Sequence, residues 1–324
     1  MLRPGGTIET IGETPLVPLR SIVPAGSARV LVKLESMNPT GSMKDRPALA
    51  MVRAAAADGR LPPGGTVVEY TGGSTGTSLA FVAGALGFGC HLVSSDAFSE
   101  EKRDHMRALG ARLTLVRSDR QRITEGLIRS MISTSRRIAR RSGHFWSDQL
   151  NNPDASRGYH PMGEEIWRDT GGTVDAFVQS VGTSHSLHGT AESLRRHRPD
   201  LLVCAVEPKE SPILSEGRTG GHRIEGIGIG FVPPLWRREL VDEIASVTSH
   251  DAHAMARTLA RREGLFGGAS SGANVVAALR IAKRLGSGAT VVTLQVDTGL
   301  KYLTTEVYGA RARAPGDGYL PGAR

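Results

Sequence analysis

Asn38-Pro39-Thr40-Gly41-Ser42-Met43-Lys44-Asp45 follows an apolar segment, Val30 to Leu34, that reads as a strand. It precedes a helix marked by Pro47 in its first turn and by apolar Ala48, Leu49, Met51, Val52 and Ala55. Lys44 therefore sits at the mouth of a helix, near the positive end of the helix dipole, which favours a neutral amine. A neutral amine can condense with an aldehyde. For a lone lysine the ordinary reading is a solvated surface residue, so the rest of the chain has to decide.

A chain of 324 residues exceeds a typical single domain, and two domains are expected. No apolar run reaches the length that crosses a membrane. Met1-Leu2-Arg3-Pro4-Gly5-Gly6 lacks the charged-then-apolar order of a signal peptide, so a cytoplasmic enzyme is the expectation. The two cysteines, Cys90 and Cys204, lie in apolar strand-like segments without a C-x-x-C pair and read as buried, inert thiols. Net charge is +8, but only Lys33, Lys44, Lys102, Lys209, Lys283 and Lys301 are lysines. The arginine clusters at 136–137, 140–141 and 261–262 lack the interleaved aromatics of a nucleic-acid surface and read as solvated helix faces. The excess charge still favours anionic substrates.

Strand and helix patterns alternate almost throughout, the mark of a parallel sheet covered on both faces. Strands are predicted at 66–70, 88–94, 112–116, 175–180, 201–206, 243–247 and 290–294. Helices are predicted at about 78–86, from a cap at Ser99 to Gly110, and at about 123–142, 158–170 and 250–263. Residues 145–154 have turn composition and read as a domain crossing; 208–235 read as an irregular stretch; the tail after Tyr308 reads as loose.

Several predicted strands end in loops of glycine and small hydroxyl residues, and ligands of open α/β sheets bind at such carboxyl ends. The loop 181–189 is the better phosphate candidate, with Gly182 and Gly189 for close approach and hydroxyls at Thr183, Ser184 and Ser186 ahead of a helix. The turn Thr71-Gly72-Gly73-Ser74-Thr75 is a second anion site by the same logic, suited to a carboxylate. Ordinary capped turns share both compositions. Thr298 offers a neutral hydroxyl at the end of the last strand. The histidines show no metal-ligand spacing; His185 and His188 are three apart without a third ligand, and no metal is expected.

These segments together resemble the fold-type II pyridoxal-phosphate enzymes of the cysteine synthase and cystathionine β-synthase group. The resemblance runs from about Thr7 to Thr305. It is carried by I-G-E-T-P-L (11–16), N-P-T-G-S-M-K-D-R (38–46), T-G-G-S-T-G (71–76), D-Q-L-N-N-P (148–153), the 182–189 loop, I-E-G-I-G (224–228), G-G-A-S-S-G-A (267–273) and D-T-G-L-K-Y-L (297–303).

The resemblance implies two three-layer α/β/α domains with mainly parallel sheets, like the tryptophan synthase β subunit. Residues 36–148 would form a mobile N-terminal domain, and 1–35 with 149–324 the C-terminal one. It implies pyridoxal 5′-phosphate as cofactor, held covalently by Lys44, which then acts as general base at Cα. Gly182, Thr183, Ser184, His185 and Ser186 would bind its phosphate, Thr298 would face its pyridine nitrogen, and Ser74 its ring hydroxyl. Thr71, Gly72, Gly73, Thr75 and Gln149 would bind the substrate α-carboxylate, and Gly226 would line the entrance. The implied reaction is β-replacement on an activated L-serine (O-acetylserine, serine or similar) through an aminoacrylate. The implied partners are that amino acid and a thiol, sulfide or other nucleophile, in a homodimer without nucleic acid or membrane.

Three positions depart from the family pattern. Ser74 stands for asparagine, His185 for glycine and Thr298 for serine. If position 185 needs a positive φ, histidine is uncommon there. Thr298 preserves the hydroxyl; Ser74 and His185 mark a divergent member. They keep two alternatives open: β-elimination, deamination or racemisation of a hydroxy amino acid, or a catalytically weak regulatory homologue that still binds the cofactor. A racemase needs a second acid–base group opposite Lys44, and no residue in the sequence identifies one.

Overall fold

Val30 and Val32 face one side of a strand and Leu31 the other, and all three are buried. Such a strand belongs in a sheet covered on both faces. The computed structural model describes residues 6–120 and 124–309. The predicted loose tail after Tyr308 falls outside these residues from 310 onward, as does the predicted start of a helix at 123.

In chain order the elements are β1 (Leu16–Pro18), β2 (Arg29–Leu34), α1 (Asp45–Ala57), β3 (Thr66–Tyr70), α2 (Ser74–Ala85), β4 (Gly89–Ser95), α3 (Glu100–Ala108) and β5 (Arg112–Val116). Then come α4 (Glu125–Ala139), β6 (His144–Trp146), α5 (Asp154–Arg157), α6 (His160–Asp169), β7 (Ala176–Ser180), α7 (His185–His197) and β8 (Leu202–Pro208). The chain continues through α8 (Ile213–Glu216), β9 (Glu243–Val247), α9 (Ser249–Arg262), α10 (Ala269–Leu285) and β10 (Thr290–Gln295).

The strands form two sheets, a six-stranded one in the order β1-β2-β10-β7-β8-β9 and a four-stranded one in the order β5-β4-β3-β6. Among the described residues every strand pairing within these sheets is parallel except β1 with β2. Parallel strands need long crossovers, and helices supply them. One face of the larger sheet packs on Ala252, Ala256 and Leu259 of α9 and Ala273, Ala277 and Ile281 of α10. The other packs on Met162 and Ile166 of α6 and Leu187, Ala191 and Leu194 of α7. The smaller sheet has α1 and α2 on one face and Leu127, Met131 and Ile138 of α4 on the other. This is the expected three-layer α/β/α construction, twice.

Three local expectations are corrected. Phe145 and Trp146 are not turn residues; they belong to β6, which pairs with β3. The turn at 71–76 is shorter than expected, because α2 starts at Ser74 and not near Ser78. The loop expected at 181–189 ends at Ser184, because α7 starts at His185. Glycine and hydroxyl residues read as loop, yet they also suit a helix's first turn when its outer face approaches other backbone. The arginines of all three clusters are exposed. Cys90 and Cys204 are free and buried in β4 and β8, and burial pushes both thiols up to about 12.

Candidate active site

Lys44 caps the N-terminus of α1 in helical conformation (φ −71°, ψ −12°). Burial pulls its ammonium down to about 8, against the Asp297 carboxylate, which acts in the opposite sense. The segment before it is stitched to the end of β10. Met43 N donates to Val296 O at 3.0 Å, and Thr298 N donates to Gly41 O at 2.9 Å. Gly41 has φ +71°, and a Cβ there would lie 2.7 Å from Thr298 Cγ2. Glycine is therefore required for this crossing. Thr298 itself caps the following 3-10 turn, accepting from Leu300 N at 3.3 Å.

Beneath Lys44 lies a buried charge network. Arg46 is gripped by Glu35 and Glu165, with its nearest nitrogen 2.7 Å from each. Lys33 Nζ completes it, 2.9 Å from Glu165 and 3.1 Å from Asp169. Thr14 Oγ1 and Asn38 Nδ2 donate to Glu35 at 2.7 and 2.8 Å. Paired charges with their remaining valences bonded are tolerated in the interior; single ones are not. The network fixes α1, and with it the lysine at its mouth.

The loop Val181 to Ser184 leads from β7 into α7. Its left-handed residue is Ser184 (φ 70°), and His185 is the first helical residue. The expected conflict between histidine and a positive φ thus falls one residue earlier, on serine. A Cβ on Gly182 would overlap Gly226 O, and Gly228 N donates to Val181 O at 3.1 Å. The 224–228 segment accordingly packs against this loop. Among the described residues α7 has no side-chain N-cap bond, and the buried Ser180 and Ser184 hydroxyls find no partner. An unsatisfied helix mouth beside two orphaned hydroxyls can take an anion. Gln179 ties the loop to the lysine segment, donating to Ser186 Oγ at 3.1 Å and reaching Met43 Sδ at 3.7 Å. Asn274 holds it from the far side, donating to Gln179 Oε1 at 2.7 Å and accepting from Ser180 N at 2.7 Å.

The turn at 71–75 is bonded to Gln149 and to its own backbone. Thr75 Oγ1 donates to Gln149 Oε1 at 2.9 Å, and Gln149 Nε2 donates to Tyr70 O at 2.9 Å. Thr71 Oγ1 accepts from the backbone of Gly73 and Gly76, both at 3.1 Å. Glu69 underpins the partner loop, accepting from Ser147 Oγ at 2.7 Å and Gln149 N at 2.8 Å. Its burial raises it to about 7. His185 joins the two anion loops: Nε2 lies 2.7 Å from Gln149 O and Nδ1 2.8 Å from Ser156 Oγ. A carbonyl only accepts, so Nε2 carries the proton and Nδ1 accepts from serine.

Ser74 accepts from Lys301 Nζ at 3.2 Å. Lys102 on α3 pairs with Glu225 of the 224–228 segment. Gln179, Asn274, His185's bridging role, Lys102 and Lys301 were not legible as site residues. Among the described residues no group of three or more His, Cys, Asp or Glu side chains is arranged to hold a metal ion, and no helix is long and apolar enough to cross a membrane.

The family model for pyridoxal-phosphate dependent enzymes matches residues 8–297. A cysteine synthase of Staphylococcus aureus is 39% identical over 303 residues, 93% of this chain and 96% of the relative. The solved structure of a cysteine synthase from Entamoeba histolytica superposes with a TM-score of 0.89 at 35% identity, covering 96% of this chain and 91% of that one. An O-acetylserine dependent cystathionine β-synthase from Helicobacter pylori gives a TM-score of 0.87 at 32% identity, covering 95% of this chain and 100% of that one.

Proposed function

Since the chain belongs to the pyridoxal-phosphate dependent enzymes of fold type II, we propose that its site carries out β-replacement on an activated L-serine, with O-acetylserine as the donor and a sulfur nucleophile as the acceptor. The single observation that carries the reading is the desolvated Lys44 amine. It is anchored through Met43 and Gly41 to the end of β10, and through Gln179 to an anion-accepting loop.

The residues fit the cofactor. The helix mouth at Gly182 to Ser186, with its orphaned Ser180 and Ser184 hydroxyls, would hold the phosphate. Lys44 would hold the aldehyde carbon, Thr298 would face the ring nitrogen and Ser74 the ring hydroxyl. When bound, pyridoxal phosphate supplies the electron sink that acidifies the substrate's Cα–H. Thr71 to Thr75 and Gln149 orient the substrate through its α-carboxylate. Lys44 Nζ takes the Cα proton as general base and later returns it. In balance, the Cβ–O bond breaks with its electron pair leaving on acetate, and the nucleophile's lone pair forms the new Cβ–S bond. Thr298 offers a hydroxyl in place of a carboxylate, so it does not stabilise a charged pyridinium, and this favours loss of the β-substituent over transamination.

The division into a mobile domain of residues 36–148 and a second domain of 1–35 with 149–324 belongs to the same reading. It is supported by the four-stranded sheet, whose strands all lie between Thr66 and Trp146. A cytoplasmic homodimer without nucleic-acid or membrane partners is proposed on the resemblance.

The test is direct. The purified holoenzyme should change its visible absorption with O-acetylserine, recover it with sulfide, and release cysteine identified by mass spectrometry. Pyruvate in place of cysteine would establish elimination instead.

A further inference from the structure

A cavity of about 380 Å³ opens beside the site between the lysine segment, α2, α3 and the turn after β10. Its lining includes Ser74, Thr77, Lys102, His105, Thr298 and Lys301, with Glu101 at one edge. The charges on its wall are not equally compensated. Lys102 is paired with Glu225 and lies 5.1 Å from the Tyr302 ring. Glu101 is held in the first turn of α3 by backbone and by Ser99 and Thr304. Lys301 is partly buried, and its ammonium is bonded only to the Ser74 hydroxyl; among the described residues no carboxylate comes within ion-pair distance. Asp45 and Asp297 act on it from farther away. Asp45 is already occupied by Thr40 N and Oγ1 at 2.8 and 2.6 Å, and Asp297 by the Tyr302 hydroxyl at 2.7 Å.

A desolvated ammonium without a contact counter-charge is costly, and an oxyanion entering the cavity would remove that cost. A hydroxyl is the weaker partner that an anion displaces, because hydrogen bonds between ions exceed those to neutral groups.

Building on the β-replacement reading, we propose that Lys301, with Thr77 on the same wall, forms a subsite for an oxyanion carried by one of the two reactants, the anion taking the place of the Ser74 hydroxyl at the ammonium. Two sources share that chemistry: an acid group on the incoming thiol, or an anionic leaving group on the serine. In either case the pocket selects acidic reactants over neutral ones of the same size.

The experiment uses the full-length holoenzyme, whose phosphate loop is already filled. Inorganic sulfate is titrated calorimetrically into wild type, Lys301→Met and Lys301→Arg, with folding checked by circular dichroism and melting temperature. Saturable sulfate binding should weaken about tenfold in Lys301→Met and be kept in Lys301→Arg. Sulfate affinity that is unchanged in Lys301→Met but lost in Gln149→Ala would place the anion in the substrate-carboxylate turn and overturn the proposal.

Kinetics then separate the sources. With O-acetylserine fixed, mercaptoacetate is compared with 2-mercaptoethanol. With 2-mercaptoethanol fixed, O-phosphoserine is compared with O-acetylserine. A KM for mercaptoacetate raised about tenfold in Lys301→Met, with 2-mercaptoethanol unaffected, assigns the subsite to the nucleophile. The same selective rise for O-phosphoserine assigns it to the leaving group. Equal effects on charged and neutral reactants overturn the proposal. An enzyme that turns over none of these pairs, yet binds sulfate through Lys301, refutes β-replacement and leaves the anion site standing.

Discussion

His185 Nε2 donates to the carbonyl oxygen of Gln149 at 2.7 Å, and this bond ties the helix mouth after β7 of the larger sheet to the loop after β6 of the smaller one. Burial pulls the imidazole down to about 4, so it is neutral at physiological pH. The neighbouring His188, buried one turn on and 5.1 Å from the Trp236 ring, is also pulled down to about 4 by burial.

The pH dependence of stability follows from the sign of that shift. The unfolded chain binds a proton at these histidines below about 6.5, whereas the native state resists until about 4. Their contribution is complete above the unfolded value and is lost as pH falls through this window. The expected loss is on the order of 3 kcal/mol for His185. Melting temperatures from pH 7 to 4 should fall for wild type and fall less steeply for His185→Gln. Parallel curves would remove His185 from the account.

Lys44 should capture pyridoxal phosphate only as the free amine. With its ammonium held near 8, the rate at which apoprotein takes up the cofactor should rise with pH and level off above about 8. Stopped-flow absorbance at a series of pH values measures it. Lys44→Ala should fold normally, retain no cofactor through borohydride treatment and denaturation, and turn over nothing.

The charge network under Lys44 should matter more when broken than when absent. Arg46→Met strands Glu35 in the interior without a cation and leaves Glu165 only Lys33, at an expected cost of about 3–5 kcal/mol. Chemical denaturation should show this loss. Replacing Arg46, Glu35 and Glu165 together with apolar residues of similar volume should recover much of it.

Gly182→Ala would push a methyl into the Gly226 carbonyl. The loop must shift, and cofactor affinity should fall by about 10- to 100-fold for a displacement costing about 1–3 kcal/mol. Equilibrium dialysis against free pyridoxal phosphate checks it, and the apoprotein's melting temperature should fall as well, because the clash is with the protein's own backbone.

The Lys102–Glu225 pair joins α3 to the 224–228 segment, with the glutamate half-exposed. Exposed pairs contribute little to stability, typically below about 1 kcal/mol. Glu225→Gln should therefore leave the melting temperature unchanged while altering substrate KM by about two- to fivefold, an effect that shrinks at high salt. A changed melting temperature with unchanged KM would make the pair a structural brace.

The strands β3, β5 and β9 were legible to the residue, because apolar β-branched runs bounded by glycine and polar turns have few other uses. The lysine segment was equally plain, since Pro47, the apolar spacing of α1 and the preceding strand fix the place of Lys44 at a helix mouth. The starts of α2 and α7 were misread. Ser74-Thr75-Gly76 and His185-Ser186 carry loop composition, and only packing shows them wound into helix.

By itself the sequence determined the alternation of strands and helices, the lysine at its helix mouth and the two glycine-rich turns, because these follow from local periodicity and backbone freedom. The tertiary structure decided which polar groups meet. Lys301 reaches Ser74 across 227 positions, Arg46 reaches Glu165 across 119, and His185 reaches Gln149 across 36. Periodicity within a strand or helix carries no information about such partners. They are selected only when two separately covered sheets bring their loop ends together and water is excluded between them.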